Sequence, residues 1–156
     1  PELASVSGYV RFDPRWAAMA DFTWTRWSRF QALTITFANP ATPTNVLQTQ
    51  WDNVFRAAVG VEHYYSDQWT FRGGLAYDES PIPDTTRGPG IPDSTHYVVG
   101  TGLSYKVNDR LTADFSLIHQ FYKKGPANRI SGTGSRLIGD FRVNVDVIGA
   151  GFRWAL

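Results

Sequence analysis

The chain has 156 residues, 15 Lys plus Arg against 14 Asp plus Glu, a formal net charge of +1, and no cysteine. That length suits one ordinary domain. The near balance of charge gives no case for nucleic acid, which needs a concentrated basic face, and the missing cysteines remove disulfides, thiolate nucleophiles and zinc–thiolate sites together.

Aromatic residues make up 15% of the chain, with 6 Trp, 7 Tyr and 10 Phe, and aromatics favour strands. No apolar run is long enough for a transmembrane helix. Pro1-Glu2-Leu3 lacks the basic stretch and apolar core of a signal peptide, so the expectation is a mature protein or a fragment. The mean hydropathy is slightly negative. A helical membrane protein is thereby excluded, but a membrane barrel is not, because only alternate residues of its strands face lipid.

Read in steps of two, the sequence divides into seven alternating segments, and alternation puts one residue set on each face of a strand. Ala4, Val6, Gly8, Val10 and Phe12 share a face of the first. Trp16, Ala18, Ala20, Phe22 and Trp24 share a face of the second, opposite Asp21, Thr23 and Thr25. The pattern runs on through Leu33, Ile35 and Phe37 with the opposite parity, which predicts a β-bulge near Arg26 to Arg29.

In the third segment Trp51, Phe55, Ala57, Val59 and Val61 oppose Asp52, Arg56 and Glu62. In the fourth, Trp69, Phe71, Gly73, Leu75 and Tyr77 oppose Thr70, Arg72, Gly74, Ala76 and Asp78. The fifth is the clearest, with Tyr97, Val99, Thr101, Leu103, Tyr105 and Val107 on one face. The sixth sets Leu111, Ala113, Phe115, Leu117 and Phe121 against Thr112, Asp114, Ser116 and Gln120. In the seventh, Val143, Val145 and Val147 give way to Ile148, Ala150, Phe152, Trp154 and Leu156, which predicts a second bulge or bend near Val147 to Gly149. A terminal aromatic is the commoner ending of outer-membrane strands, and Leu156 departs from it.

The connections alternate in length. Asp13-Pro14-Arg15, Ser66-Asp67-Gln68 and Asn108-Asp109 are tight turns. Between them lie long connections at about 38–50, 79–93 and 124–142, rich in Pro, Gly, Thr, Asn and Ser. In a meander this order puts every tight turn at one end and every long loop at the other, as in outer-membrane barrels. The candidate strands run about 10–14 residues, against roughly 5–6 in soluble proteins and roughly 9–11 needed to cross a bilayer. Aromatics gather near both strand ends, with Trp16, Trp69 and Tyr105 toward the turns and Trp24, Trp51, Tyr77 and Tyr97 toward the loops. Two such bands match interfacial girdles. The fold class is therefore all-β: seven antiparallel transmembrane strands in an up-and-down meander, with residues 1–156 as a single barrel segment.

The sequence from Trp24 to Phe30, and above all the block Trp69 through Asp78 continued by Glu79-Ser80-Pro81, Pro83-Asp84, Arg87 and Ile91-Pro92-Asp93-Ser94, resembles the FadL-type outer-membrane transporters of long-chain fatty acids and other hydrophobic compounds. The resemblance covers nearly the whole chain. It implies a barrel of about fourteen strands with an N-terminal plug, of which this chain supplies the C-terminal half. It also implies a multi-pass location in the outer membrane of a Gram-negative bacterium. Transport in the family is passive, with lateral release through a gap in the wall. The segment with the plug and the gap is expected upstream, so the family's residues there have no counterpart here. Aromatic hydrocarbon uptake is the variant within the family, and a soluble β-barrel binding a small apolar ligand is the competing class.

Seven strands leave two open edges, which lipid does not tolerate. The expected partners are thus the missing N-terminal half or a second copy of the chain, outer-membrane lipid and lipopolysaccharide, and a long-chain fatty acid or other hydrophobic small molecule. The polar parity carries Arg11, Asp21, Asp52, Arg56, Glu62, Arg72, Asp78, Lys106 and Asp114, with Arg153 a further candidate. Mixed signs on neighbouring strands favour a lumenal ion-pair network, and buried charges must be paired or wet. Within it, Arg56 and Arg72 are the cations best suited to meet a fatty acid carboxylate. Apolar residues in the long loops, among them Ile82, Ile91, Leu137 and Ile138, either line a hydrophobic groove at the outer mouth or pack the loops together. No catalytic cluster is expected: His63, His96 and His119 have no evident serine and acid partners. No metal spacing or phosphate-binding glycine loop is present, and no cofactor is expected.

A membrane barrel should require detergent and should migrate differently on a gel when unboiled. A chain that stays monomeric and soluble without detergent would overturn the membrane reading.

Overall fold

The computed structural model describes residues 1–39, 41–130 and 134–155. Pro40, residues 131–133 of the third long connection and Leu156 lie outside the described residues. Seven long strands form one antiparallel sheet: β1 (Leu3–Asp13), β2 (Trp16–Thr25), β5 (Val54–Tyr64), β6 (Trp69–Asp78), β7 (His96–Lys106), β8 (Leu111–Tyr122) and β11 (Asn144–Trp154), paired in that order. Each is 10 to 12 residues long. Sequential neighbours pair antiparallel throughout, so the architecture is the expected meander. The sheet is open: β1 and β11 each have one strand neighbour among the described residues.

The long connections hold structure that alternation did not foretell. A single 3-10 turn at Trp27–Arg29 follows β2, and β3 (Ala32–Ile35) pairs with β4 (Asn45–Gln48) as a separate hairpin. The expected bulge near Arg26 to Arg29 is therefore absent. Parity switches there because the chain leaves one sheet and starts another. Phe30 and Trp27 close edge-on against Trp51, with centroids 5.0 and 4.9 Å away, which supports the turn. A second hairpin, β9 (Gly125–Ile130) with β10 (Arg136–Phe141), fills the third connection.

The second expected bulge, near Val147 to Gly149, is also absent. β11 pairs with β8 residue by residue from Asn144 to Trp154. Val145 and Val147 simply belong to the inward face, opposite Gln120 and Ile118, because the inner wall is itself apolar at that height. The register shift in the sheet lies between Arg11 and Asp13, beside the first tight turn.

Pairing aligns the faces across all seven strands. One row reads Val10, Ala18, Val61, Gly73, Thr101, Leu117 and Ile148, and this face is apolar and open. Val59, Leu75, Ile148 and Phe152 expose 59%, 58%, 72% and 77% of their surface. The buried apolar residues are few and mostly small or in the loops: Ala17, Val54, Ile82 and Ala127. A soluble sheet of this size hides such a face, since contiguous exposed apolar patches mark an interaction surface. The hydrophobic face here is thus a lipid face rather than a core.

That assignment makes a directional prediction. In the full-length protein refolded into vesicles, Leu75→Arg should cost about 2–4 kcal/mol near the bilayer middle, while Gln120→Lys on the opposite face should cost little. Equal costs in urea titrations would overturn the assignment of faces.

Candidate functional site

The inward face is organised in three tiers. Toward the loops, the Asp21 carboxylate accepts hydrogen bonds from Ser7 (2.7 Å), Ser5 (3.2 Å) and Thr23 (3.3 Å). Arg56 reaches Asp21 at 3.3 Å and Asp78 at 3.6 Å. Toward the turns, a longer chain of bonds crosses the sheet. The Tyr9 and Tyr64 hydroxyls meet at 3.1 Å, and Tyr64 donates to Glu62. Arg72 donates from Nε to Glu62 at 2.7 Å and from a terminal nitrogen to the Ser104 hydroxyl at 2.6 Å. Ser104 donates to Asp114, which also accepts from Arg153 at 2.7 and 3.0 Å. Glu62 and Ser104 are buried, and a buried polar network is stabilising only when each member is satisfied, as here.

Between the two charged tiers the wall turns apolar and thin. The row Met19, Gly60, Gly74, Gly100, Ile118 and Val147 crosses it, with Ala58, Ala76 and Val98 one step nearer the loops. A side chain at Gly74 would lie 3.1 Å from the Val59 carbonyl oxygen, and one at Gly60 would lie 3.1 Å from Met19 Cγ. Glycine keeps this floor low. The resulting concavity, ≈ 710 Å³, is lined by Met19, Ala58, Gly74, Val98 and Ile118 and edged by Arg56 and Arg72.

Arg56 and Arg72 thus border the same hollow in separate networks, and they are not equivalent. Arg72 is held by two short bonds, whereas both contacts of Arg56 are long and its side chain is 44% exposed. The loop residues are spread apart. Ile82 is buried inside its own connection, Ile91 is 54% exposed, and Leu137 and Ile138 are consecutive on β10, so they face opposite sides of that hairpin.

Alternation gave no hint of Arg87, which organises the second connection. Its buried guanidinium donates to the carbonyls of Ile82 (2.7 Å), Asp93 (2.9 Å) and Pro126 and to the Asp84 carboxylate. Ser94 donates to the Lys123 carbonyl at 2.6 Å, and the Asn128 amide donates to the Asp84 carbonyl at 2.9 Å. A Cβ at Gly125 would meet both Arg87 and Ser94 at 3.3 Å. At the opposite end, a hydrogen bond from Lys106 holds the Asp109 carboxyl below its ordinary range. Among the described residues no group of three or more His, Asp or Glu is arranged to hold a metal ion.

The family model described as outer membrane protein transport protein (OMPP1/FadL/TodX) matches residues 1–156. The chain belongs to this family. It is 38% identical over 114 residues to the long-chain fatty acid transport protein of Escherichia coli (strain K12), covering 73% of this chain and 25% of that protein. It is 26% identical over 124 residues to outer membrane protein P1 of Haemophilus influenzae, covering 80% of this chain and 27% of that protein. The crystal structure of a Pseudomonas aeruginosa FadL homologue superposes with a TM-score of 0.90 at 31% identity, covering 97% of this chain and 35% of that one. The chain therefore spans about a quarter of the curated relatives' length. It is an outer-membrane protein with the strands of a FadL barrel, and the open sheet edges follow from the part of the barrel it represents.

Replacing Arg87 with Ala leaves three loop carbonyls without their shared donor and frees the half-exposed Asp84 carboxylate, a loss of about 1–3 kcal/mol where a buried acceptor goes unsatisfied. In the full-length protein, limited proteolysis should cut within 79–95 and 125–141 faster in Arg87→Ala, with the heat-modifiable gel shift retained. An unchanged cleavage pattern would remove Arg87 as the clamp.

Proposed function

We propose that the chain forms wall strands of a barrel that passes long-chain fatty acids, or related hydrophobic molecules, across the outer membrane by diffusion, with lateral release into the bilayer. The remaining wall and the plug come from the preceding part of a longer chain, and this segment is the C-terminal half of the barrel wall. The reading rests on the inner concavity, where an apolar floor lies between two charged tiers. A fatty acid has the same order of parts: its acyl chain gains from the apolar floor, and its carboxylate meets guanidinium at the edge.

Of the two arginines, Arg56 is the better recipient. Its contacts to Asp21 and Asp78 are long enough to be exchanged for a ligand carboxylate, whereas Arg72 is fixed in the wall by Glu62 and Ser104. Ile91, Leu137 and Ile138 expose apolar surface on separate parts of the loop end, where each suits a first contact with the acyl chain, whereas Ile82 is buried within its own connection.

Arg56→Gln in the full-length protein should weaken binding of a long-chain fatty acid roughly tenfold to a hundredfold, the worth of a hydrogen bond to a charged group. Displacement of a fluorescent fatty acid in detergent would measure it. Unchanged affinity would assign Arg56 to wall structure alone.

A further inference from the structure

One row of the inward face runs unbroken over four strands at the loop end of the concavity. Arg56 on β5 pairs with Asp78 on β6, Asp78 with His96 on β7, and His96 with Tyr122 on β8. Residues opposite each other on one face of a sheet are within reach of each other's side chains. Ala58, Ala76 and Val98, one step further from the loops, line the hollow, so this row is its rim. The His96 ring is held in a fixed pose there. It stacks on Tyr122 with centroids 4.1 Å apart and planes 18° from parallel, and its Nδ1 lies 3.1 Å from the Ser94 carbonyl oxygen. A carbonyl can only accept, so Nδ1 carries the hydrogen and the neutral ring has its lone pair on Nε2. Among the described residues Nε2 has no hydrogen-bond partner. The Tyr122 hydroxyl is engaged elsewhere, donating to Gln120 at 2.9 Å.

Cations are scarce along this row. Arg56 serves both Asp21 at 3.3 Å and Asp78 at 3.6 Å. Asp93, from the connection before β7, is close enough to act on Asp78 and Tyr122 as well. Lys124, two residues past Tyr122, is taken by Asp140 at 2.7 Å. Asp21, Asp78 and Asp93 thus stand against one guanidinium. A ligand carboxylate that took Arg56 would deprive the half-buried Asp78 of its counter-ion, and an uncompensated charge in such a position is costly. The side chain of this row that can gain a positive charge near neutrality is His96, because imidazole changes charge between about pH 5 and 8.

We propose that His96 is the proton acceptor coupled to headgroup binding in the concavity. As the ligand carboxylate takes Arg56 from Asp78, a proton from solvent goes onto Nε2 of His96. The imidazolium then replaces the guanidinium as the counter-ion of Asp78. The inference rests on the reading of the concavity as a fatty acid site, and it adds the regulation of that site by pH. Because the bound state holds one proton more than the free state, affinity rises as pH falls and is lost as pH rises.

Isothermal titration calorimetry of the detergent-purified full-length protein with a long-chain fatty acid, run near neutral pH in two buffers of different ionisation heat, counts the protons taken up. The ligand's own ionisation is common to all variants and cancels between them. The parent should take up as much as about one proton more per ligand than His96→Gln. Its affinity, relative to that variant's, should fall by up to about tenfold per pH unit as pH rises through the imidazole range. His96→Lys, a permanent cation, should bind throughout that range as the parent binds at its acid end, with no extra proton. Asp78→Asn should bind roughly tenfold more tightly because a like charge is gone, and it should also lose the extra proton. An unboiled gel shift confirms that each variant is folded. Equal proton numbers and parallel pH profiles in the parent and His96→Gln would overturn the proposal. If Arg56→Gln instead left affinity unchanged, the fatty acid reading of the concavity would fall.

Discussion

In hydrocarbon there is no water to receive an unpaired amide or carbonyl, so every spanning segment must satisfy its backbone within the wall. Most of this chain follows from that demand. The seven long strands run unbroken at 10 to 12 residues and pair in register with their neighbours in sequence. The 3-10 turn and the two extra hairpins are kept to the loop end, and the register shift near Arg11 and Asp13 lies beside a tight turn. The demand also explains why the sheet is insufficient alone. β1 and β11 each offer an unpaired edge, and such edges in lipid require partner strands.

Once the backbone is satisfied, the faces divide the remaining work. Outside, apolar side chains meet lipid and contribute no core. Inside, cohesion across strands passes to polar groups, and the chain from Tyr9 through Glu62, Arg72, Ser104 and Asp114 to Arg153 ties β1 to β11. No residue in it can be judged alone. Arg72 reads in the sequence as a cation suited to a ligand carboxylate, yet its bonds to Glu62 and Ser104 make it a brace. Arg56, with the same charge and the same face, is held more loosely and remains open to exchange.

The sheet was legible because period two is a strong signal when one face must be apolar along its whole length. Turn residues at Asp13, Ser66 and Asn108 set the hairpins, and loop lengths sorted the two ends. The signal failed where apolar residues were read as face markers although they did other work. Leu33 and Ile35 belong to a loop hairpin, and Val145 and Val147 lie on the inward face. Arg87 escaped because a clamp inside a coil has no periodicity; only its partners reveal it. The two lumenal arginines were placed on the correct face, but their different freedom depends on distances across strands that no spacing encodes.

The row Gly60, Gly74 and Gly100 is where the wall is reduced to a single layer of peptide. Only the apolar side chains of Met19 and Ile118 reach over this strip on the inside, and a charge resting on it would be poorly stabilised. Under the proposed function, an amphiphile there would lay its tail on the strip and its head among the guanidinium groups above or below. On that reading the thin wall would keep the charged end of a ligand off the strip without a single specific contact.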